Sequence, residues 1–99
     1  MLFAVSWVNR DGATEERDKR IHKLFTNWKP PVGIEFKSFY DYADGTGGVA
    51  IVEAASPEAI LEVCGTWSVF LAFTVRPIVA SDKATDIFGK AIAWRDSVR

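Results

Sequence analysis

The sequence predicts an α+β fold: a ferredoxin-like β-α-β-β-α-β order carrying an additional C-terminal helix. Three observations lead there. Apolar segments of period two alternate with segments of period 3.6, in the order strand, helix, strand, strand, helix, strand, helix. The two central strands are separated only by Ala43-Asp44-Gly45-Thr46-Gly47, a turn-rich link short enough to imply an antiparallel hairpin. At 99 residues, the chain has room for one core. Residues 1–99 are therefore expected to form one domain, with 80–99 as a helical extension.

Leu2 to Val8 is short, β-branched and aromatic, with Phe3, Val5 and Trp7 sharing one face. Asn9-Arg10-Asp11-Gly12 ends it with turn residues. From Thr14 to Trp28 the period changes: Ile21, Leu24, Phe25 and Trp28 form one helical stripe. Glu15 and Glu16 suit the positive end of that helix dipole, and Pro30-Pro31 cannot donate the amide hydrogens needed to continue it. In Gly33–Asp41, alternation places Ile34, Phe36 and Tyr40 on one side and Glu35, Lys37 and Asp41 on the other. Gly48–Ala54 is the partner strand.

Ser56-Pro57-Glu58 is a helix start, with a serine cap, proline in the first turn and a carboxylate beside it. Ala59, Ile60, Val63 and Cys64 continue the apolar face, and Gly65 is the expected stop. Phe70–Val79 is the fourth strand, which Pro77 places at an edge or a bulge. The last helix, capped by Ser81 or Asp82, has a stripe through Ala84, Ile87, Phe88, Ala91 and Trp94.

This order gives a four-stranded antiparallel sheet with helices on one face. With Val49 and Ile51 toward the helices, Ala50, Val52 and Ala54 would face away, joined by Leu2, Phe39 and Ile78. A second face that is partly apolar is simplest to cover with the same face of another copy, so a homodimer is expected.

Composition narrows the function classes. The net charge of -1, with both signs intermixed, gives no basic face for a nucleic acid. No apolar run spans a bilayer, and the N-terminal Met1-Leu2-Phe3-Ala4-Val5 lacks the basic flank of a signal peptide. A cytoplasmic location is therefore expected. Cys64, the single cysteine, can form neither an intrachain disulfide nor a cysteine-rich zinc site, and reads as a small buried hydrophobe.

Gly45-Thr46-Gly47-Gly48 joins two strands rather than a strand and a helix, so it reads as a hairpin turn and not as a phosphate cradle. Asp41 and Asp44 read as turn residues, and with Glu53 they lack the spacing of a calcium loop. His22, the single histidine, reads as a partly exposed surface residue, its neighbours Arg20 and Lys23 offering no carboxylate to orient it. Arg76, inside an apolar strand, either pairs with Glu53 or Asp41 across the sheet or binds an acidic ligand through its fork of donors. Trp7, Asn9, Tyr40 and Trp67 are candidates to line a pocket near the strand ends, a set that fits a plain core equally well.

The strand–helix order, the two-faced sheet and the segments Met1–Val5, Ser56-Pro57-Glu58 and Phe73-Thr74-Val75-Arg76-Pro77-Ile78-Val79 resemble the dimeric α+β barrel superfamily. Trp67 after the second helix, followed by an apolar strand ending in a proline-containing segment, is similar to one of its short bacterial families of unknown function. The resemblance extends to about residue 80 and implies a dimeric barrel. Its haem-degrading members use a first-strand asparagine, a tryptophan and a ligand histidine in the second half. Asn9 and Trp67 match in kind, whereas His22 lies on the first helix, so haem degradation is not expected.

The leading expectation is a dimeric protein that binds a small apolar or acidic metabolite without a cofactor. Trp7, Tyr40, Trp67 and Phe73 would form its walls, with Asn9 and Arg76 as polar handles. The resemblance also implies a cofactor-independent monooxygenase, using Asn9, Trp67 and Tyr40, or an isomerase of the same barrel type. A third expectation is a structural or regulatory interaction module.

Overall fold

The computed structural model describes every residue except Asp11 and Ala13, so part of the turn expected after the first strand lies outside the described residues. The elements are β1 (Leu2–Asn9), α1 (Glu15–Asn27), β2 (Ile34–Asp41), β3 (Gly47–Ala54), α2 (Pro57–Trp67), β4 (Leu71–Pro77) and α3 (Ser81–Ser97). The expected order is the observed one. The strands form a four-stranded sheet in the order β2-β3-β1-β4, with every neighbouring pair antiparallel. Pro77 lies on β4, an edge strand, where a missing backbone donor is tolerated.

The faces of the sheet are the reverse of the expected assignment on β3. Phe3 pairs with Val52 and Val5 with Ala50, and these four residues are buried together with Ala54 and Ile60 as the core. Ala50, Val52 and Ala54 therefore face the helices, while Val49 and Ile51 share the open face with Ser6 and Ala4. Small residues on the inner face of β3 leave room for the large rings of β1 and β2.

On β2 the alternation itself is interrupted. Phe36 pairs with Val52, but Ser38 rather than Lys37 pairs with Ile51, so Lys37 is the extra residue of a β-bulge. The Ser38 hydroxyl accepts a hydrogen bond from the Ile51 amide at 3.2 Å, which satisfies a ladder donor at the irregularity. Beyond the bulge the parity is inverted. Phe39 and Asp41 pair with Ala50 and Gly48 on the helix side, and Tyr40 pairs with Val49 on the open side. The expected outward Phe39 and inward Tyr40 are thus exchanged.

The helices start largely where their caps are. Thr14 Oγ1 accepts from the Arg17 amide at 3.1 Å, and Ser56 Oγ accepts from the Ala59 amide at 3.3 Å. Gly65 does not end α2, which continues to Trp67. The glycine has no positive φ, and Trp67 at the last helical position is only 5% exposed, so burial of the indole extends the helix past a residue of poor propensity. The N-cap of α3 is Ala80, without a side-chain hydrogen bond; Ser81 already lies inside the helix.

No residue of α3 is buried. Phe88 is 66% and Trp94 68% exposed. The helix gives the molecule a long axis of 62 Å and a radius of gyration of 17.8 Å, against roughly 13 Å for a compact chain of this size. Among the described residues no helix is long and apolar enough to cross a membrane.

Candidate functional site

The site follows from a mismatch between two surfaces. The inner face of the sheet carries rings on β1, β2 and β4 but small residues on β3, so the helices rest on aromatic edges and a space remains beneath them. α1 has no buried residue, although its Ile21 and Leu24, and Trp28 just past its end, are half-buried. Between α1, α2 and the sheet lies a cavity of about 410 Å³, within the usual range for small-molecule sites. Val5, Ala50 and Val52 form its floor, and Ile60, Val63, Cys64 and Trp67 of α2 form one wall.

Aromatic rings enclose it. Phe39 lies 6.0 Å from Phe25, Phe25 5.9 Å from Trp67, and Trp67 5.5 Å from Trp28 in an edge-on contact. Trp28 lies 6.2 Å from Phe36, and Phe36 returns to Phe39 at 5.0 Å. These five rings make a closed circuit, and Trp7 extends it toward β4 through Phe39 at 5.3 Å and Phe73 at 6.4 Å. Such tilted and edge-on pairs each contribute about 0.5–1.5 kcal/mol beyond area burial. The walls are therefore held in place by one another.

The mouth is polar and is built from three elements: Asn9 at the end of β1, Asp18 and His22 one turn apart on α1, and Asp41 at the end of β2. The hairpin beside it is fixed by Asp44, whose carboxylate accepts from the Thr46 amide at 3.0 Å and hydroxyl at 2.7 Å. The Thr46 hydroxyl and amide hold the Asp44 carboxyl below its ordinary range. Gly45 takes φ of 75°, as a turn glycine does. Asn9 Nδ2 donates to the Gly45 carbonyl at 3.0 Å and the Asn9 amide donates to the Thr46 carbonyl at 2.8 Å, clamping the hairpin to β1. On α1, Arg17 donates to the Phe70 carbonyl and covers the Phe70 ring at 5.7 Å, tying the helix start to the α2–β4 link.

Of the residues expected from sequence, the structure brings Trp7, Asn9, Trp67 and Phe73 around this one cavity. Tyr40 and Arg76 do not join them. The bulge turns Tyr40 to the open face, and Arg76 pairs with Ala4, whose side chain is on that face too. Nor does Arg76 make either expected ion pair. β1 separates it from Glu53, which takes the Met1 ammonium instead, and Asp41 lies across the sheet on the other face. The acidic-ligand expectation rested on Arg76 and loses its cation.

Sequence reasoning missed Phe25, Trp28, Phe36 and Phe39 as walls and Asp18, His22 and Asp41 as rim. Phe25 and Trp28 were visible as a helical stripe, but a stripe does not say whether it meets a core or a void. For His22, the informative carboxylate was at i−4 rather than adjacent, since Asp18 shares its helix face. Cys64 is half-buried against the cavity, and burial pushes its thiol up, away from thiolate formation. Among the described residues no three His, Cys, Asp or Glu side chains are grouped to hold a metal ion.

No curated protein matches the chain. The model of one family matches residues 1–92, which takes in the whole sheet, both cavity helices and most of α3. On that match the chain belongs to the family described as a domain of unknown function, DUF3303.

Proposed function

We propose that this protein binds a small, largely apolar molecule between its helices and its sheet, acting as a homodimer of the dimeric α+β barrel kind. The observation that carries the binding reading is the closed aromatic circuit around a cavity of about 410 Å³ with a polar mouth. A core built only for stability gains by filling such a space, because unfilled volume costs about 24 cal/mol per Å³. Rings arranged as walls, with polar groups confined to one rim, are the layout of a ligand site.

The test uses the neutral fluorophore N-phenyl-1-naphthylamine, titrated against the intrinsic tryptophan emission. Saturable binding is expected, with energy transfer from the tryptophans that line the cavity. Val63→Phe, which places a ring in the space, is expected to weaken binding about tenfold, equivalent to about 1.4 kcal/mol. Absence of saturable binding, or binding indifferent to Val63→Phe, removes this reading.

The dimer reading is supported by the open face, where Leu2, Ala4, Val49 and Ile51 share one side of the sheet, and by two-fold pairing being the commonest oligomer symmetry. Light scattering on the purified protein is expected to give twice the chain mass. Ile51→Glu, which sets two like charges face to face at the two-fold, is expected to give the chain mass. A wild-type protein that scatters as a single chain removes the dimer and leaves the cavity reading standing.

A further inference from the structure

The chemistry of the cavity's mouth identifies the class of ligand. Its ionisable lining is Asp18, Asp41 and His22; among the described residues neither Lys nor Arg contributes. The two carboxylates are not spent elsewhere. The ion pairs of the described residues are Met1–Glu53, Lys19–Glu15 and Lys37–Glu35, and none involves Asp18 or Asp41.

Asn9 adds to the same side of the balance. The Gly45 carbonyl can only accept, so the group facing it at 3.0 Å must be the Asn9 amide nitrogen. That orientation leaves Oδ1, an acceptor, as the free end of the side chain. Three of the four polar side chains at the mouth thus offer acceptors, two of them as anionic carboxylates. Behind them stand tryptophan and phenylalanine rings, whose faces attract cations through the ring quadrupole.

We propose that the site selects organic cations: an apolar or aromatic amine whose ammonium group sits between Asp18, Asp41 and Asn9 while its hydrocarbon part enters the ring-lined cavity. The inference rests on the binding reading above and assigns its ligand class. An amine matches both halves of the site at once. Its N–H donors meet the acceptors, and its carbon skeleton displaces poorly held water from the apolar interior. A carboxylic acid of the same shape would set a third negative charge beside two others, and a neutral alcohol would leave both carboxylates without a counter-charge.

Three probes with one ring system separate these cases: 2-(1-naphthyl)ethylamine, 2-(1-naphthyl)ethanol and 1-naphthylacetic acid, each titrated calorimetrically at pH 7 and low salt. The amine is expected to bind about tenfold more tightly than the alcohol, in line with a cation held by rings and carboxylates, and the acid more weakly than both. In Asp18→Asn and Asp41→Asn the amine-to-alcohol affinity ratio is expected to fall, and in the double variant to approach one. Equal affinities for amine and alcohol, a preference for the acid, or an amine preference that survives the double variant would each overturn the assignment while leaving the cavity reading intact. If none of the three probes binds where N-phenyl-1-naphthylamine does, the ligand class fails alone; if that fluorophore does not bind either, both readings fail.

Discussion

Gly47→Ala is expected to cost the fold about 3 kcal/mol or more, at or beyond the upper end of ordinary overpacking. A Cβ at this position would lie 1.9 Å from the carbonyl oxygen of Trp7 and 2.9 Å from the Cα of Val8. Both are backbone atoms of β1, and Gly47 is paired with Val8 in the central ladder. No side-chain rotation relieves the contact. Only separation of β1 from β3 does, and these two strands carry most of the core. Gly48 is almost as constrained, its Cβ falling 2.4 Å from the Trp7 indole and 2.5 Å from the Tyr40 carbonyl. Urea denaturation measures the effect, with Gly65→Ala as the control. That glycine lies inside α2 with nothing within 4 Å of its Cβ, so the same substitution is expected to stabilise by about 0.5–1 kcal/mol. A Gly47→Ala protein as stable as the wild type would mean that β1 and β3 do not approach this closely.

Trp67→Ala is expected to cost about 3–5 kcal/mol, the usual range for removing a large buried ring. The indole is the most deeply buried tryptophan and meets Phe25 of α1 at 5.9 Å and Trp28, the residue that caps its end, at 5.5 Å. It is therefore the ring through which α2 holds α1 over the sheet. α1 has no fully buried residue of its own, so its attachment depends on this contact more than its apolar stripe implies. Circular dichroism is expected to show loss of helix at temperatures where the wild type is intact. Trp67→Phe, which keeps a ring facing Phe25, is expected to recover much of the loss. Equal damage from both would assign the role to indole size or to its N–H rather than to the ring contact.

The two variants also mark what the sequence did and did not disclose. Element order was legible because period, caps and breakers agree along the chain: Ser56-Pro57-Glu58 starts α2 where expected, and Pro30-Pro31 follows α1. The inner face of β3 was misassigned: Gly47–Val52 is apolar at both parities, and the one charged residue, Glu53 near the strand end, marks the face of Val49 and Ile51 as the open one. Volume agrees with that choice: the small set, Gly48, Ala50, Val52 and Ala54, lies on the same face as the rings of the neighbouring strands.

The site was legible in part. Trp7, Asn9, Trp67 and Phe73 sit near strand or helix ends that the order brings together, so a pocket made from them follows from topology. Phe39 and Asp41 were assigned to the wrong side because strict alternation was carried through Lys37. An inserted residue leaves no mark on a strand of mixed polar and apolar character. Asp18 and His22 were passed over because they are charged or polar residues on a helix whose apolar stripe was already complete without them.

The bulge at Lys37 has a bearing on how this strand tolerates change in length. Residues upstream and downstream of it are in different frames: Ile34 and Phe36 on one side of the insertion and Phe39 and Asp41 on the other share a face only because Lys37 is taken up as a bulge and not as a paired residue. Removing Lys37 would restore regular pairing from Phe36 to Ser38 without moving any wall residue, since Ser38 already takes the position opposite Ile51. Removing a residue after Phe39 would instead exchange the two sets downstream, bringing Tyr42 to the place of Asp41 and taking a carboxylate from the mouth. Among relatives of this chain, a gap at the bulge is therefore compatible with unchanged walls, and a gap three residues later exchanges the carboxylate at the mouth for a tyrosine.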